Sequence, residues 1–175
     1  QLAPEVKHDL KAFFGTLKNA FGTAEAMLFS AGNLDLIAEC CDRAPVGKRT
    51  DTALYVHESA LETLDPLLRI YEGCASRTIG RLEGVTAIKF HTDKPKISYL
   101  FYPDFDADPH PALQTMMQVD LRDLDVRYFD YDIDDNPPLL HCKHKLVSSD
   151  YPNYDKFAKL SRQEENWGLL DDPRA

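Results

Sequence analysis

The sequence predicts an α+β domain, with N-terminal helices followed by an antiparallel β-meander core and flanking helices. Three observations predict it. Apolar residues near the start recur at helical spacing, the middle holds short β-rich runs separated by turn residues, and the stretch before Gly168 returns to a helical pattern.

The first run carries Val6, Leu10, Phe13, Leu17 and Phe21, with Lys7, Asp9, Lys11 and Lys18 between them. Pro4 suits a first turn, Gly22 is expected to end this helix, and Thr23 to cap a short second one bearing Met27 and Leu28. Asn33 is expected to cap a third helix with Leu34, Ile37, Ala38 and Cys41 on it. Pro45-Val46-Gly47-Lys48-Arg49 then breaks the pattern, which divides a helical lobe (1–45) from an α+β core (46–175).

In the core, Ala53 to His57 reads as a strand. Ser59 can cap the helix that carries Leu61, Leu64, Leu67, Leu68 and Tyr71, and Pro66 inside that run implies a kink or two short helices. Val85 to His91 and Lys96 to Tyr102 read as strands joined by the turn Thr92-Asp93-Lys94-Pro95. Met117, Val119 and Leu121 alternate with polar residues as a half-buried strand does, and Val126 to Tyr131 follows as its neighbour. Leu139 to Val147 is expected to add a further strand, and Asn153 to Trp167 a final helix ended by Gly168.

Composition limits the function classes. Hydrophobic residues make up 43% of 175 and mean hydropathy is -0.40, ordinary for a folded domain, and no apolar run reaches the length of a membrane span. The opening Gln1-Leu2-Ala3-Pro4-Glu5 has no leader pattern, and its lack of Met suits a piece of a longer chain. The four cysteines, Cys40, Cys41, Cys74 and Cys142, show no zinc spacing and are too sparse for a disulfide scaffold, so reduced thiols in a cytoplasmic protein are expected. Net charge is -9, and ten Asp against two Arg between Asp104 and Asp135 supply -8 of it. That balance disfavours indiscriminate nucleic-acid binding and leaves room for a local basic face.

The polar motifs offer three chemistries. Asp104, Asp106 and Asp108 alternate just before His110, a spacing of oxygen ligands that suits Ca²⁺ or Mg²⁺, although the glycine and glutamate of an EF-hand loop are missing. Turn carboxylates bonded to local backbone are the simpler reading. His141-Cys142-Lys143-His144-Lys145, on a strand, would present His141, Lys143 and Lys145 on one face to an anion. Lys48 and Arg49 in a loop, with Lys89, Lys94 and Lys96 around the hairpin and Arg69, Arg77 and Arg81 before it, can contact phosphates. His57, His91 and His141 are general-base candidates, the first two at strand ends, where a structural histidine is the commoner case. No nucleophile elbow, phosphate-binding P-loop or glycine-rich cofactor turn occurs, so this chain alone has no usual S-adenosylmethionine site.

Several stretches resemble blocks of the methyltransferase-like family associated with DNA phosphorothioation. They are Asp9 to Gly15, Val46-Gly47-Lys48 with Ala53 to His57, Leu67 to Ala75, Asp93 to Leu100, Tyr102 to Leu113, Asn136 to His141 and Arg162 to Leu170. The resemblance covers most of the chain and matches the family's accessory region, outside the cofactor-binding fold. It implies a methyltransferase-like domain in cis or trans, with S-adenosylmethionine and the catalytic residues belonging to that domain. The chain departs from the pattern at Cys142 and His144, where the family leads one to expect Arg and Glu.

Gly47, Lys48, His57, Lys89, His91, Tyr99, Asp104, His110, Asn136, His141 and Lys143 all sit in or beside those blocks, and the expectation is that they converge on one polar cleft. The leading functional expectation is a recognition module contacting DNA or another nucleic acid through Lys48, Arg49, Lys89, Lys94, Lys96, His141 and Lys143. The alternatives are a metal-assisted hydrolase or nuclease using the His/Asp cluster, and a structural oligomerisation domain.

Overall fold

A computed structural model of the chain describes residues 2–80 and 82–170. Arg81, named above among the basic residues, lies outside them. The helices are α1 (Pro4–Phe14), α2 (Leu17–Ser30), α3 (Leu34–Asp42), α4 (Pro66–Ile79) and α5 (Tyr154–Asn166). The strands are β1 (Lys48–Thr50), β2 (Ala53–His57), β3 (Ala87–His91), β4 (Lys96–Phe101), β5 (Thr115–Asp120) and β6 (Val126–Asp130). They form one antiparallel sheet in the order β1-β2-β3-β4-β5-β6, a meander in which every strand pairs with its chain neighbour. The α+β class and its architecture are as the sequence predicts. Among the described residues no helix is long and apolar enough to cross a membrane.

Local chemistry sets the element ends. The first break falls at Gly15 and Thr16, whereas Gly22 and Thr23 were expected to make it. Gly15 takes a positive φ of 74°, and the Thr16 hydroxyl accepts the Asn19 N–H, so α2 starts there and runs on through Gly22. A glycine inside a helix costs only about 1 kcal/mol, so Gly22 is carried within α2, while the Thr16 cap contributes about as much at the helix start. Asn33 caps α3 as expected. Pro66 opens α4 with Asp65 capping it, and a separate 3₁₀ turn spans Glu58–Thr63, so the Leu61–Tyr71 run is two short helices. His57, not Ser59, caps that 3₁₀ turn, accepting the Ser59 N–H at 3.1 Å.

Strand alternation gives the sheet two faces. One carries Leu54, Val56, Ile88, Phe90, Ile97, Tyr99, Met117 and Val119, buried with Ile37 and Cys41 of α3 and Leu68, Tyr71 and Ala75 of α4. On the other face, Ala87 and Leu100 are buried with Phe105, Leu113, Leu140, Leu146, Val147 and Phe157 from the C-terminal half. Next to them one polar row crosses all six strands in register: Lys48, Tyr55, Lys89, Ser98, Gln118 and Arg127. Thus half of this face is core and half is polar.

The expected strand from Leu139 to Val147 does not form. Leu139 makes a single antiparallel bridge to Ala112, Cys142 sits in the left-handed region at φ 57°, and Lys143–Lys145 is a 3₁₀ turn. A left-handed non-glycine residue ends strand alternation, so His141, Lys143 and Lys145 share no face.

His91 is buried, with Nε2 2.9 Å from the Ser98 hydroxyl. Burial, with Lys89 and Lys94 adding to it, pushes its pKa down to about 4. The folded protein therefore resists a proton that the unfolded chain accepts below about pH 6.5, so this stabilisation is complete above that pH and lost as pH falls toward 4. Urea unfolding at about pH 7 and about pH 4.5 should show His91→Gln losing less stability than wild type, by an amount approaching roughly 3 kcal/mol. Equal losses in the two proteins would remove His91 from the acid response.

Candidate functional site

Two histidines meet because of one β-bridge. Ala112 pairs antiparallel with Leu139, the Leu113 N–H donates to the Pro138 carbonyl at 2.8 Å, and the Leu140 N–H to the Pro111 carbonyl at 3.0 Å. Continuing that register brings His110 opposite His141, and their rings lie 4.5 Å apart, tilted by 36°. The third member, Glu164, comes from α5. Phe157, Ser161 and Glu164 occupy the buried stripe of that helix at helical spacing, so the carboxylate points inward and is 4% exposed.

His110 Nε2 donates to Glu164 Oε1 at 2.7 Å. His110 Nδ1, His141 Nδ1 and Glu164 Oε2 are all buried without a hydrogen-bond partner. One ligand atom from each of the three residues lies within 4.8 Å of the others, and among the described residues this is the one such group of three. Zinc bonds of about 2.0–2.1 Å place tetrahedral ligands roughly 3.4 Å apart, so closing on an ion needs shifts of about 1 Å. The pKa of His141 is lowered by burial first and by His110 next, with Glu164 opposing and Lys48 assisting, which keeps its imidazole neutral as a ligand requires.

His141 also lines a cavity of about 340 Å³ on the polar half of the sheet, with Lys48, Thr50, Tyr55 and Lys89 on the strand side and Tyr131, Leu139 and Leu140 opposite. The candidate group of His110, His141 and Glu164 and a cavity bearing two lysines therefore share His141 as a wall.

Lys143 holds this corner together. Its ammonium is buried, donates to the Phe105 and Asp108 carbonyls at 2.6 and 2.5 Å, and lies 4.1 Å from the Phe157 ring centroid. It pins the loop that delivers His110, whose own N–H donates to the Asp108 carboxylate at 2.8 Å. The left-handed Cys142 lets His141 and Lys143, one residue either side of it, serve these two different places.

The other predicted residues are distributed elsewhere. Asp104 accepts two loop N–H groups through its carbonyl, and the Asp106 carboxylate accepts from Tyr151 and Asn153. With Asp108 capping the loop, the three aspartates perform separate backbone and side-chain tasks, and of the expected metal ligands only His110 enters the group. His57 packs between Phe105 and Tyr151, at 4.6 and 5.1 Å, and burial lowers its pKa. Tyr99 donates to Glu72 on the helix-covered face. Arg49 pairs with Asp42 at 2.7 Å, Lys94 with Asp93 at 3.6 Å, and Lys96 with Asp120 at 3.0 Å. Of the expected anion contacts, Lys48, Lys89 and His141 line one cavity, while Arg49, Lys94 and Lys96 pair with aspartates outside its lining and Lys143 is bonded to the Phe105 and Asp108 carbonyls.

Glu164 was given no role from sequence, although it lies in one of the family-like blocks. The available signal was a carboxylate on the inward stripe of an amphipathic helix, three residues beyond Ser161 and seven beyond Phe157. No family model, curated protein or solved structure matches the chain.

Proposed function

We propose that this domain holds a divalent transition-metal ion, zinc by preference, between His110, His141 and Glu164, and uses it to hydrolyse phosphate esters taken up in the adjoining cavity. One observation carries the reading: His110, His141 and Glu164, delivered by three separate segments, each bring a ligand atom within 4.8 Å of the others, and each also has a buried polar atom without a hydrogen-bond partner. Each such atom costs about 1–3 kcal/mol, and a buried carboxylate more, unless a ligand satisfies it. Two imidazoles and a carboxylate suit zinc better than magnesium or calcium, which favour all-oxygen sets. Three protein ligands, rather than four, is the count of catalytic zinc sites.

A bound ion supplies Lewis acidity, lowering the pKa of water toward about 7. In the reaction, the water oxygen forms a new bond to phosphorus, the bond to the ester oxygen breaks, and the leaving alcohol ends with one of the water's protons. Lys48 and Lys89 supply cationic charge for the phosphate at the wall that His141 shares.

The same cavity supports a second reading, favoured by its two lysines: an accessory recognition module that binds phosphate without turning it over, beside a methyltransferase-like domain of the family resembled. Isothermal titration with Zn²⁺ at neutral pH, followed by a phosphate-release assay on p-nitrophenyl phosphate, separates the readings. Uptake of one zinc per chain with release that a chelator stops is the expected result. Uptake without release favours the recognition module, and no zinc uptake sinks the metal centre.

A further inference from the structure

We infer that the cavity beside the metal-ligand group is a nucleotide subsite, taking a single phosphate-bearing nucleotide rather than a duplex. The inference rests on the phosphoester reading and narrows it to a substrate class. At about 340 Å³ the cavity lies near the lower end of the roughly 300–1,000 Å³ range of small-ligand sites. A duplex instead needs a row of cations spread over several phosphates. Here that row is dismantled, because Arg49, Lys94 and Lys96 are each paired with an aspartate.

Lys48, Tyr55 and Lys89 are consecutive in the polar row, so their side chains stand side by side on three neighbouring strands. The Lys89 ammonium lies 5.0 Å from the Tyr55 ring centroid, held upright over the face. Tyr102 and Tyr131 join them in the lining. Lysines and hydroxyls on one wall are anion donors.

Leu113, Met116, Leu139 and Leu140 give a wide apolar wall, which inorganic phosphate alone leaves unused. A planar base against leucines and tyrosine rings buries that wall and stacks on an aromatic face.

The test is titration calorimetry on the whole chain, in chelator, with thymidine monophosphate, thymidine, inorganic phosphate and a short DNA duplex. Thymidine monophosphate is expected to bind without metal, and thymidine and inorganic phosphate each at least about 10-fold more weakly. Lys89→Met should weaken thymidine monophosphate by about 10-fold to 100-fold, and Tyr131→Phe, which leaves packing intact, by a smaller factor. Binding of phosphate as tight as thymidine monophosphate overturns the base subsite. Duplex binding that is tighter and steeply salt-dependent overturns the single-nucleotide assignment, and unchanged affinity in both variants overturns the site. Zinc uptake, measured separately, remains the test of the metal centre, so the two readings fail independently.

Discussion

Zinc is expected to raise the thermal unfolding temperature of this protein, and Glu164→Gln is expected to remove that rise. At 100-fold excess over its dissociation constant, a ligand of the native state adds about 2.7 kcal/mol. For a domain of this size that corresponds to roughly 5–11 °C. Gln keeps the volume of Glu164 and an oxygen toward His110, but removes the anionic ligand and the buried uncompensated oxygen. Without metal the variant should therefore match wild type within about 1 kcal/mol. With metal, loss of a direct ligand should weaken zinc by more than the 10–100-fold typical of outer-shell partners. A zinc-dependent shift of wild-type size in the variant would mean that the ion sits elsewhere. His141→Ala should behave alike toward zinc and also open the shared wall of the cavity.

The second large effect is at Lys143. Replacing it with Met keeps the aliphatic contact with Phe157 but leaves the Phe105 and Asp108 carbonyls without their donor. An unsatisfied buried acceptor costs about 1–3 kcal/mol, and relief of ammonium burial offsets part of it. The pKa of Lys143 is already lowered, by burial foremost, so that offset is real. A net loss of about 2 kcal/mol is expected in urea unfolding near neutral pH. Because the released loop delivers His110, zinc affinity should fall by about 10–100-fold as well. Unchanged zinc affinity in a destabilised protein would show that Lys143 holds the fold and leaves the ligand group alone.

The sheet was legible in the sequence because period-two alternation is a local signal. Met117 and Val119, and the turn at Thr92 to Pro95, mark their elements within a few residues. Pairing register is not local, so the polar row from Lys48 to Arg127 was invisible as a row, and β1 read as loop. The site was half legible. His110 and His141 drew attention as side chains, but their meeting depends on the Ala112–Leu139 bridge, which links stretches far apart in the chain. Lys143 looked like a surface cation until Cys142, a residue with no reason in its type to take a positive φ, turned it inward. Charge counting overvalued Arg49, Lys94 and Lys96 because it does not register the aspartate each one meets.

The meander bears on the order in which the molecule assembles. Each strand pairs with its immediate predecessor: the β1–β2, β3–β4 and β5–β6 turns are short closures that lose little entropy, whereas the β2–β3 connection carries the 3₁₀ turn and α4 and the β4–β5 connection carries the loop bearing His110. The ligand group is different: it needs residues 110, 141 and 164, and the segment carrying the second is anchored by the Gly47 N–H to the Lys145 carbonyl and the His57 N–H to the Leu146 carbonyl, back on the earliest strands. These are the long loop closures of the domain. During synthesis all six strands precede α5, so the proposed ligand group can assemble only after the sheet that positions it has been made.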